Sequence, residues 1–540
     1  MKDLNKKVRV RFAPSPTGNL TIGGVRTALY NYLFAKKMGG DFILRIEDTD
    51  SKRSVDGSTD YVIESLKWLG IEPNEGFGFG DGKYGPYIQS ERNHIYKPII
   101  DKLINDGNAY YAFDTDIDIE KYKLNKDFKY NLYTRHNLNN SLNMSKDKLD
   151  DLLKNNVPYV IRAKIPKDRD IIIDDVVRGK VVFSSNVLDD KILIKSDGIP
   201  TYHFAATVDD YLMDITHVFR GDEWLPSAPL HILIHEWIGN INPPIYAHLS
   251  VILRPDGKKK LSKRDGDELG ICVFPINYKD DDGFIKKGYR ELGYSPDALL
   301  NNLALLGWNP GNNIEFMKLN EMIDLFDITK FHKAGARFDK KKSEWLNKQH
   351  IMNLSDDDFV LLIFNNIEKP IFLGGGYNYK IYCEYIKDGI TQIHALKYFY
   401  DKYKTLLDIV PLIRTKIDNF NDIALYVKPL LYGVLISCDC LDNEILFGLK
   451  KLNNDLLSLA EFSPENIENV YKNVLNNDLF LSTNKKIFMK AFRRALTNED
   501  IGASVYHIAS FIRKNETSKR LIDYIEFNEF NSNLKPIENV

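Results

Sequence analysis

The amino-terminal residues alternate between strand-like and helix-like patterns, and this alternation constrains the fold more than any other feature. Residues 8–12 alternate with period two, residues 14–18 have the prolines and glycine of a loop, and residues 22–37 carry apolar side chains at helical spacing. A second strand at 41–46 and a helix at 58–69 repeat the pattern. Strands that alternate with helices predict a parallel sheet, whose ligands bind beyond the carboxyl ends of the strands.

Both predicted strands are followed by candidate binding segments. The loop after the first strand leads to Gly23 and Gly24, where helix N–H groups and small residues would let a phosphate approach the backbone. A Gly-Gly pair alone would more simply be a turn with a helix cap. The acidic cluster at 47–50 follows the second strand, and its Asp48 or Asp50 could instead cap the next helix.

The composition excludes several classes of protein. The 540 residues are 44% apolar and 27% charged, which is typical of globular proteins and predicts about three or four domains. With a formal charge of −2, a polyanionic partner must be met by local basic patches. Four cysteines are too few for a disulfide framework and lack the spacing of a zinc site. We find no signal peptide and no apolar run of membrane-spanning length, so we expect a cytoplasmic protein without a membrane partner.

A segment rich in Lys, Asn and Asp interrupts the sheet pattern. It extends over about 96–199 and is predicted to be an insertion. Strand patterns resume at 191–194, 217–220 and 246–253, which completes the predicted sheet domain. Beyond about residue 265 the signals are mainly helical, so the back half is predicted to be all-α.

A strongly basic loop follows the last predicted strand. Between Leu253 and Arg264, four lysines and two arginines oppose one aspartate, a local charge of +5. Flexible ammonium groups at Lys260 and Lys263 suit charge that develops on a leaving phosphate, and Ser262 adds a hydroxyl donor. The charge run alone would also fit a solvated loop or a nucleic-acid patch. Its position downstream of a nucleotide-type loop favours a catalytic role.

Three ordered motifs stand out: Arg-Phe-Ala-Pro-Ser-Pro-Thr-Gly at 11–18, Arg-Ile-Glu-Asp-Thr-Asp at 45–50, and Lys-Leu-Ser-Lys-Arg at 260–264. Together with supporting stretches at 200–205, 217–224 and 303–308, they resemble the class I aminoacyl-tRNA synthetases, and most closely the bacterial glutamyl-tRNA synthetases. The Ala and Ser of the first motif resemble its glutamyl rather than its glutaminyl form.

The resemblance implies an α/β fold: a Rossmann-like, doubly wound parallel-sheet catalytic domain with an inserted α/β subdomain, followed by all-α stem-contact and anticodon-binding regions. The catalytic domain would cover 1–95 and 200–264, and the inserted acceptor-end-binding subdomain 96–199. The stem-contact region would cover 265–345 and the anticodon-binding region 346–540.

The resemblance also implies an ATP-dependent ligase that acts in two steps. Glutamate attacks the α-phosphate of ATP and releases pyrophosphate, and the terminal adenosine of tRNA(Glu) then takes the glutamyl group and releases AMP. Neither step needs a protein nucleophile, so the enzyme orients substrates and stabilises charge. Mg²⁺ is expected to arrive with ATP, held mostly by phosphates and water, and a monomer is expected.

Site residues follow from the resemblance by position. The glutamate-binding residues would be Arg11, Ala13, Ser15, Glu47, Tyr202 and Arg220. Of these, Arg11 and Arg220 would hold carboxylates and Glu47 the ammonium group. The ATP-binding residues would be Gly23, Glu223, Trp224, Leu253, Lys260, Leu261, Ser262, Lys263 and Arg264, although Trp224 could instead belong to the core. The catalytic residues would be Thr21, Gly23, Gly24, Lys260, Ser262 and Lys263.

The sequence departs from the family at Thr21, where relatives usually carry the first histidine of a His-x-Gly-His motif. A threonine hydroxyl can still donate to an α-phosphate oxygen, but loss of one well-placed donor costs roughly 10²- to 10³-fold in rate. We expect a working adenylation site that could be slow. A tRNA-binding protein without catalytic activity is the alternative, but retention of the other predicted site residues argues against it.

Other features are predicted to be structural. Some relatives carry a cysteine-rich zinc cluster after a Tyr-Tyr pair, but residues 110–114 contain no cysteine here, so no zinc is expected. The histidines near the motifs are interpreted as structural or surface residues because no step needs a general base; they are His94, His203, His217 and His332.

The predicted tRNA-binding half carries its own basic segment. Between Lys485 and Arg520, nine basic side chains oppose three acidic ones, a local charge of +6. This region resembles an anticodon-binding domain, although a solvated helical face remains the alternative for any single residue. In the stem-contact region, Lys286, Lys287 and Arg290 could contact phosphates. The sequence leaves open whether a glutamine tRNA is also charged.

Overall fold

The computed structural model consists of two compact units. The described residues are 7–50, 53, 55–80, 82–124, 128–240, 242–280, 283–311, 313–367, 405–432 and 441–533. The first unit comprises 1–291 and 296–343, and the second comprises 292–295 and 344–540. A helix break that the glycines at 374–376 predict lies outside the described residues, as do Cys383, Cys438 and Cys440.

The first unit mixes strands and helices. Its strands are β1 (Arg9–Phe12), β2 (Asp41–Leu44), β3 (Glu75–Gly76), β4 (Ala109–Ala112), β5 (Val160–Ala163), β6 (Asp170–Asp175), β7 (Gly179–Ser184), β8 (Ile192–Ile194), β9 (His217–Gly221), β10 (Ile245–Leu249), β11 (Ile252–Leu253), β12 (Tyr278–Lys279), β13 (Ile285–Lys286) and β14 (Ala336–Arg337). Its helices are α1 (Ile22–Lys37), α2 (Ser58–Leu69), α3 (Asn93–Asn105), α4 (Asp116–Lys123), α5 (Lys146–Lys154), α6 (Tyr202–Leu212), α7 (Ala228–Trp237), α8 (Lys263–Leu269), α9 (Pro296–Leu305) and α10 (Leu319–Leu325). The bounds of α1 and α2 are those that the apolar spacing predicts.

Two sheets form the base of the first unit. One has the order β1-β2-β3 and is parallel, and the other has the order β7-β6-β10-β9 and is parallel except at the β6–β7 pair. The Thr216 N–H, just before β9, donates to the Arg9 carbonyl at 2.9 Å and so links the two sheets. All four residues of β1 are buried, as expected for a strand covered on both faces. The predicted parallel sheet is therefore present.

The range 96–199 divides between two sheets. Strands β6 and β7 join the sheet of β9 and β10, whereas β4, β5 and β8 form a separate antiparallel sheet. The expectation that residues 191–194 resume the catalytic sheet is wrong. Strand β8 pairs instead with β5, because Leu193 and Ile194 are buried in the same apolar cluster as Ile161.

Residues 265–345 contain helices α9 and α10 but are not all-α as expected, because they also contain strands. Strands β12 and β13 form an antiparallel hairpin with Gly283 at a φ of +87°, and β14 pairs in parallel with β11. Strands of two residues are too short to give a period-two signal in the sequence. In the same region, Trp308 is fully buried, and its indole N–H donates to the Asp327 carbonyl at 3.1 Å.

The second unit is helical throughout its described residues, which contain no strand. Its helices are α11 (Lys340–Met352, which begins before the unit boundary), α12 (Asp356–Ile367), α13 (Asp422–Tyr432), α14 (Asn443–Leu457), α15 (Pro464–Asn476), α16 (Leu479–Thr483), α17 (Lys485–Thr497) and α18 (Val505–Asn533), with a further helical stretch at 405–413. The ring of Tyr471 stacks on Phe488 and Phe492, which lie four residues apart on the buried face of α17. Among the described helices of the whole chain, none has both the length and the apolar character required to cross a membrane.

Candidate active site

A cavity of about 520 Å³ lies where β1, β9 and β10 end. Most of the predicted site residues line it: Arg11, Ala13, Ser15, Thr21, Gly23, Gly24, Glu47, Tyr202, Arg220, Glu223, Trp224, Lys260, Leu261, Ser262 and Lys263. Two residues assigned to the same site do not line the cavity. Leu253 pairs with Arg337 of β14, and Arg264 is exposed on α8.

The first wall of the cavity is the loop between β1 and α1. The Pro14 carbonyl accepts a hydrogen bond from the Glu47 N–H at 3.0 Å, which ties this loop to the end of β2. Thr21 is the N-cap residue of α1, but its side chain makes no capping hydrogen bond. A Cβ at Gly24 would collide with Leu20, whereas a Cβ at Gly23 would meet nothing nearer than the Thr21 hydroxyl at 3.8 Å. The start of α1 therefore presents N–H groups and a hydroxyl to the cavity.

Buried ion pairs form the floor of the cavity. Arg11 donates to both carboxylate oxygens of Asp210, at 3.0 and 3.2 Å, and Arg45 donates to Asp210 and to Glu47 at 2.8 Å each. Burial alone would raise the pKa of Asp210, but the guanidinium groups of Arg11 and Arg45 outweigh it and lower that pKa to about 2. At Glu47, burial prevails over Arg45 and Arg11 and raises the pKa.

The acidic cluster at 47–50 does not cap α2. Asp48 accepts hydrogen bonds from the backbone N–H and the hydroxyl of Ser90, and Asp50 pairs with Arg53. Glu47 alone of the carboxylates in this cluster lines the cavity. Its partner Arg45 is fully buried, so the Glu47 carboxylate is held in one place.

Arg220, at the end of β9, has a different environment from Arg11. Its Nε donates to Nε2 of His248 at 3.0 Å, and its Nη1 donates to Nδ1 of His231 at 3.1 Å and to the Tyr202 hydroxyl at 3.4 Å. The Nη2 group is buried and has no hydrogen-bond partner among the described residues. No carboxylate oxygen of the described residues pairs with this guanidinium, and Arg220 lines the cavity.

The opposite end of the cavity carries the basic loop. Lys260 donates to Glu223 at 2.8 Å, and a Cβ on Gly18 would lie 2.7 Å from the Lys263 ammonium nitrogen. Burial would raise the pKa of Glu223, but the bond from Lys260 lowers it, so the carboxylate is ionised. The hydroxyl of Ser262 donates to Asp265 at 2.7 Å and thus belongs to the cap of α8.

Trp224 does not belong to the core. Its side chain is 38% exposed, lines the cavity, and lies with its ring centroid 4.4 Å from that of Tyr202. An exposed indole in this position can stack on a planar ligand.

Comparison with known proteins identifies the family. A family model for the catalytic domain of class I tRNA synthetases (E and Q) matches residues 7–345, and one for an anticodon-binding domain matches 391–525. The glutamate–tRNA ligase of Parabacteroides distasonis is 43% identical over 530 residues, 96% of this chain and 99% of the relative. The chain belongs to the glutamate–tRNA ligase family. The ligase of Phocaeicola vulgatus is 42% identical, over 96% of this chain and 99% of the relative.

Solved structures of glutamate–tRNA ligases have the same fold. That from Elizabethkingia meningosepticum, a complex with its amino acid, has a TM-score of 0.81 and 40% identity over 96% of this chain and 99% of that one. That from Elizabethkingia anophelis has a TM-score of 0.78 and 40% identity over 96% of this chain and 100% of that one. The family, the α/β fold class with its helical C-terminal region, and the activity of a class I glutamate–tRNA ligase that uses ATP are thereby confirmed.

Sequence reasoning missed four residues that shape the site. Asp210 pairs with Arg11, and His248, His231 and Asp175 surround or support Arg220. His248 lies in a strand between Ala247 and Leu249, where a polar residue could have drawn attention, whereas Asp175 follows Asp174 at the end of its strand. Nothing in the spacing, however, indicates that they would meet Arg220, because that contact depends on the order of the strands.

Proposed function

We propose that this chain activates L-glutamate with ATP in the described cavity and transfers the glutamyl group to the 3′-terminal adenosine of tRNA(Glu), releasing AMP and pyrophosphate. One observation carries the proposal. Arg220 has a buried guanidinium without a carboxylate partner among the described residues, and it lines the same cavity as the basic loop and the start of α1. The guanidinium suits an acidic substrate, whereas the basic loop and the start of α1 suit a triphosphate.

Glutamate would occupy the deeper end of the cavity. Arg220 would hold one carboxylate through its guanidinium group, and Arg11 would hold the other. The Glu47 carboxylate would accept hydrogen bonds from the ammonium group. Ala13 and Ser15 are small enough to leave room for the substrate, and the Tyr202 hydroxyl would complete the wall.

ATP would occupy the outer end. The N–H groups at Gly23 and Gly24 and the Thr21 hydroxyl would face the α-phosphate, and Trp224 would stack on the base. Lys260 and Lys263 would stabilise the pyrophosphate as it leaves, together with the backbone at Leu261 and Ser262. Lys260 would then exchange its present partner Glu223 for phosphate oxygens.

The chemistry needs positioning rather than a protein nucleophile. A glutamate α-carboxylate oxygen forms a bond to the α-phosphorus, and the bond from that phosphorus to the bridging oxygen of pyrophosphate breaks. The terminal ribose hydroxyl of the tRNA then attacks the activated carbonyl, and AMP leaves. Every charge that develops lies beside the basic loop or the start of α1, which is where fixed donors lower the barrier most.

Several further points belong to the proposal. Mg²⁺ would enter with ATP; within the described residues no group of three His, Cys, Asp or Glu side chains could hold a metal ion. We propose that the enzyme works without zinc, as a monomer in the cytoplasm. The assignment of 1–95 with 200–264 to catalysis, 96–199 to the acceptor end, 265–345 to the tRNA stem and 346–540 to the anticodon is likewise proposed.

Aminoacylation tests the proposal. Radiolabelled glutamate, purified tRNA(Glu) and the full chain should yield acid-precipitable label only when ATP and Mg²⁺ are present. A parallel reaction with tRNA(Gln) decides whether a second tRNA is charged. Absence of labelled tRNA(Glu) under these conditions, with the chain folded by circular dichroism, would contradict the assigned activity.

A further inference from the structure

Three neighbouring strands place a row of polar side chains behind the proposed glutamate pocket. In the sheet order β6-β10-β9, His248 of β10 pairs in register with Arg220 of β9, and Asp175 of β6 pairs with Tyr246, two residues before His248. Asp175 Oδ2 contacts His248 Nδ1 at 2.6 Å, and Arg220 Nε contacts His248 Nε2 at 3.0 Å. All three residues are buried, and His248 is fully inaccessible to solvent.

The hydrogen bonds allow His248 only one form. The Nε of an arginine can only donate, so His248 Nε2 must accept and carries no proton. The remaining ring proton is then on Nδ1 and is donated to the Asp175 carboxylate. His248 is therefore neutral, with its acceptor aimed at Arg220.

Asp175 is itself fixed by the backbone. Its Oδ1 accepts from the N–H groups of Val177 and Arg178 at 2.9 and 2.8 Å, and its Oδ2 accepts from the His248 N–H at 3.0 Å. Burial would raise the pKa of Asp175, but the hydrogen bonds from the His248 ring and from the backbone of Arg178 and Val177 outweigh it and lower that pKa. The carboxylate therefore acts as a fixed acceptor for the His248 ring.

The other face of Arg220 also meets a neutral acceptor. His231 Nδ1 accepts from Arg220 Nη1, so its Nε2–H is directed to His203 Nδ1 at 3.3 Å. Burial and the neighbouring Arg220 lower the pKa of His231 well below its usual value, which keeps this ring uncharged. Arg220 is thus oriented by uncharged groups, whereas Arg11 is neutralised by Asp210.

We infer that Asp175 and His248 are positioning residues for glutamate recognition: they aim Arg220 into the cavity without neutralising it, so that its charge is available to a substrate carboxylate and favours glutamate over glutamine. The inference rests on the proposed role of Arg220. A carboxylate placed directly against Arg220 would hold the side chain equally well but would cancel the charge that an acidic substrate needs. The His248 imidazole lies between Arg220 and Asp175, so it orients the guanidinium while it keeps the carboxylate out of direct contact with it.

Two substitutions at the same position separate this role from simple packing. In His248→Gln, the amide oxygen can reach the place of Nε2 and accept from Arg220. In His248→Asn, the shorter side chain can still donate to Asp175 but does not reach Arg220. The measurement is the KM for glutamate and kcat in aminoacylation of tRNA(Glu), with the melting temperature of each variant as a check on folding.

We expect His248→Asn to raise the KM for glutamate roughly tenfold or more with little change in kcat, because it removes a hydrogen bond to a charged group. His248→Gln should stay close to the wild type, as should the exposed control His94→Gln. Equal KM values for the Gln and Asn variants at equal melting temperature would overturn the inference.

Asp175→Asn tests the chain of hydrogen bonds. The two backbone donors at Val177 and Arg178 require an oxygen at the Oδ1 position, so the amide nitrogen would face His248 Nδ1 and drive the ring proton to Nε2. Two donors would then oppose each other at Arg220, and the KM for glutamate should rise as in His248→Asn. An unchanged KM would overturn the inference.

A further variant, Arg220→Lys, distinguishes failure of the positioning role from failure of the proposed glutamate pocket. Arg220→Lys keeps the charge but loses the planar fork, so it should raise the KM for glutamate at least as much as His248→Asn. If Arg220→Lys raises the KM and neither His248→Asn nor Asp175→Asn does, Arg220 binds glutamate without their help and only the inference fails. If Arg220→Lys leaves the KM unchanged, the glutamate pocket itself is wrongly placed.

Discussion

The buried arginines of the cavity differ in whether a carboxylate neutralises them. Arg11 and Arg45 pair with carboxylates, whereas Arg220 pairs with none among the described residues. Arg11, Arg45, Asp210 and Glu47 form a network in which each cation contacts a carboxylate. Such pairs cost several kcal/mol in desolvation, so the network contributes mainly when all its members are present. Removing a single member should therefore lower the stability of the fold, and Asp210 is the member that contacts both arginines.

Asp210→Asn should lower the free energy of unfolding at pH 7 by at least about 2 kcal/mol, because the pKa of Asp210 in the folded chain is about 2, below its ordinary value of 3.8. A lowered folded-state pKa gives stability that is complete above pH 3.8 and is lost as the pH falls toward 2. Urea unfolding of wild type and variant from pH 7 downward should show curves that converge on the acid side. A difference that stays constant with pH would contradict this interpretation.

Thr21 stands where the resemblance to the class I synthetases implies a histidine. Thr21→Val keeps the size of the side chain but removes the hydroxyl, and should lower kcat roughly 10²-fold if that hydroxyl donates to the α-phosphate in the transition state. Thr21→Ser keeps the hydroxyl and serves as the matched control. Thr21→His should raise kcat. Equal kcat values for the Val and Ser variants would exclude Thr21 from the reaction.

At the scale of elements, the basic loop between β11 and α8 combines catalytic and structural side chains. Ser262 and Asp265 form a capping box that starts α8, and Arg254 pairs with Asp265. Lys260 and Lys263 are presented to the cavity from this frame. The loop is therefore positioned by its own short helix rather than by the charges that would meet the phosphates.

Lys260→Gln should lower kcat by roughly 10²-fold or more while leaving the melting temperature almost unchanged, because Lys260 is exposed and Glu223 is its only ion-pair partner among the described residues. Lys258→Gln removes the same charge from the same loop but does not line the cavity, so its kcat should stay near that of wild type. The two variants are compared in aminoacylation at saturating glutamate and ATP. A similar loss of kcat in both would indicate a general effect of loop charge.

The elements that sequence predicts well are those with long, regular patterns. Helices α1 and α2 and strand β9 follow their apolar periodicity closely, and the motifs that follow β1 and β2 are correctly expected beside each other. The role of Asp175 beside the site could not be predicted. Asp175 lies within 96–199, which the sequence predicts to be an insertion, and its contact with His248 depends on β6 lying next to β10. The hydrogen bond from the Ser262 hydroxyl to Asp265 could not be predicted either, because helix caps and phosphate-binding sites use the same residue types.

At the scale of the whole molecule, the second unit carries the predicted tRNA-binding charge, but not every basic side chain there is available. Within Lys485–Arg520, Lys490 and Arg494 pair with Asp500, and Arg520 is buried. The +6 segment is therefore less uniform than its sequence suggests. Three lysines of this segment are exposed and form no side-chain hydrogen bond or ion pair with another described residue: Lys485, Lys486 and Lys519.

Neutralising Lys485 and Lys486 together to Gln should raise the KM for tRNA(Glu) and lower the salt dependence of binding by about one unit of slope per lysine. The KM for glutamate should not change, because neither lysine lines the cavity. Lys472→Gln is the control, since that exposed lysine already pairs with Glu468 in the same unit. An unchanged salt slope in the double variant would show that this face does not contact phosphate.

The most direct test of the central claim is a crystal structure of the full chain with a non-hydrolysable glutamyl-adenylate analogue. We expect its glutamyl carboxylate against the Arg220 guanidinium, its ammonium group against Glu47, and its phosphate between the start of α1 and the basic loop. Density for the analogue outside this cavity, or a glutamyl group turned away from Arg220, would contradict the account.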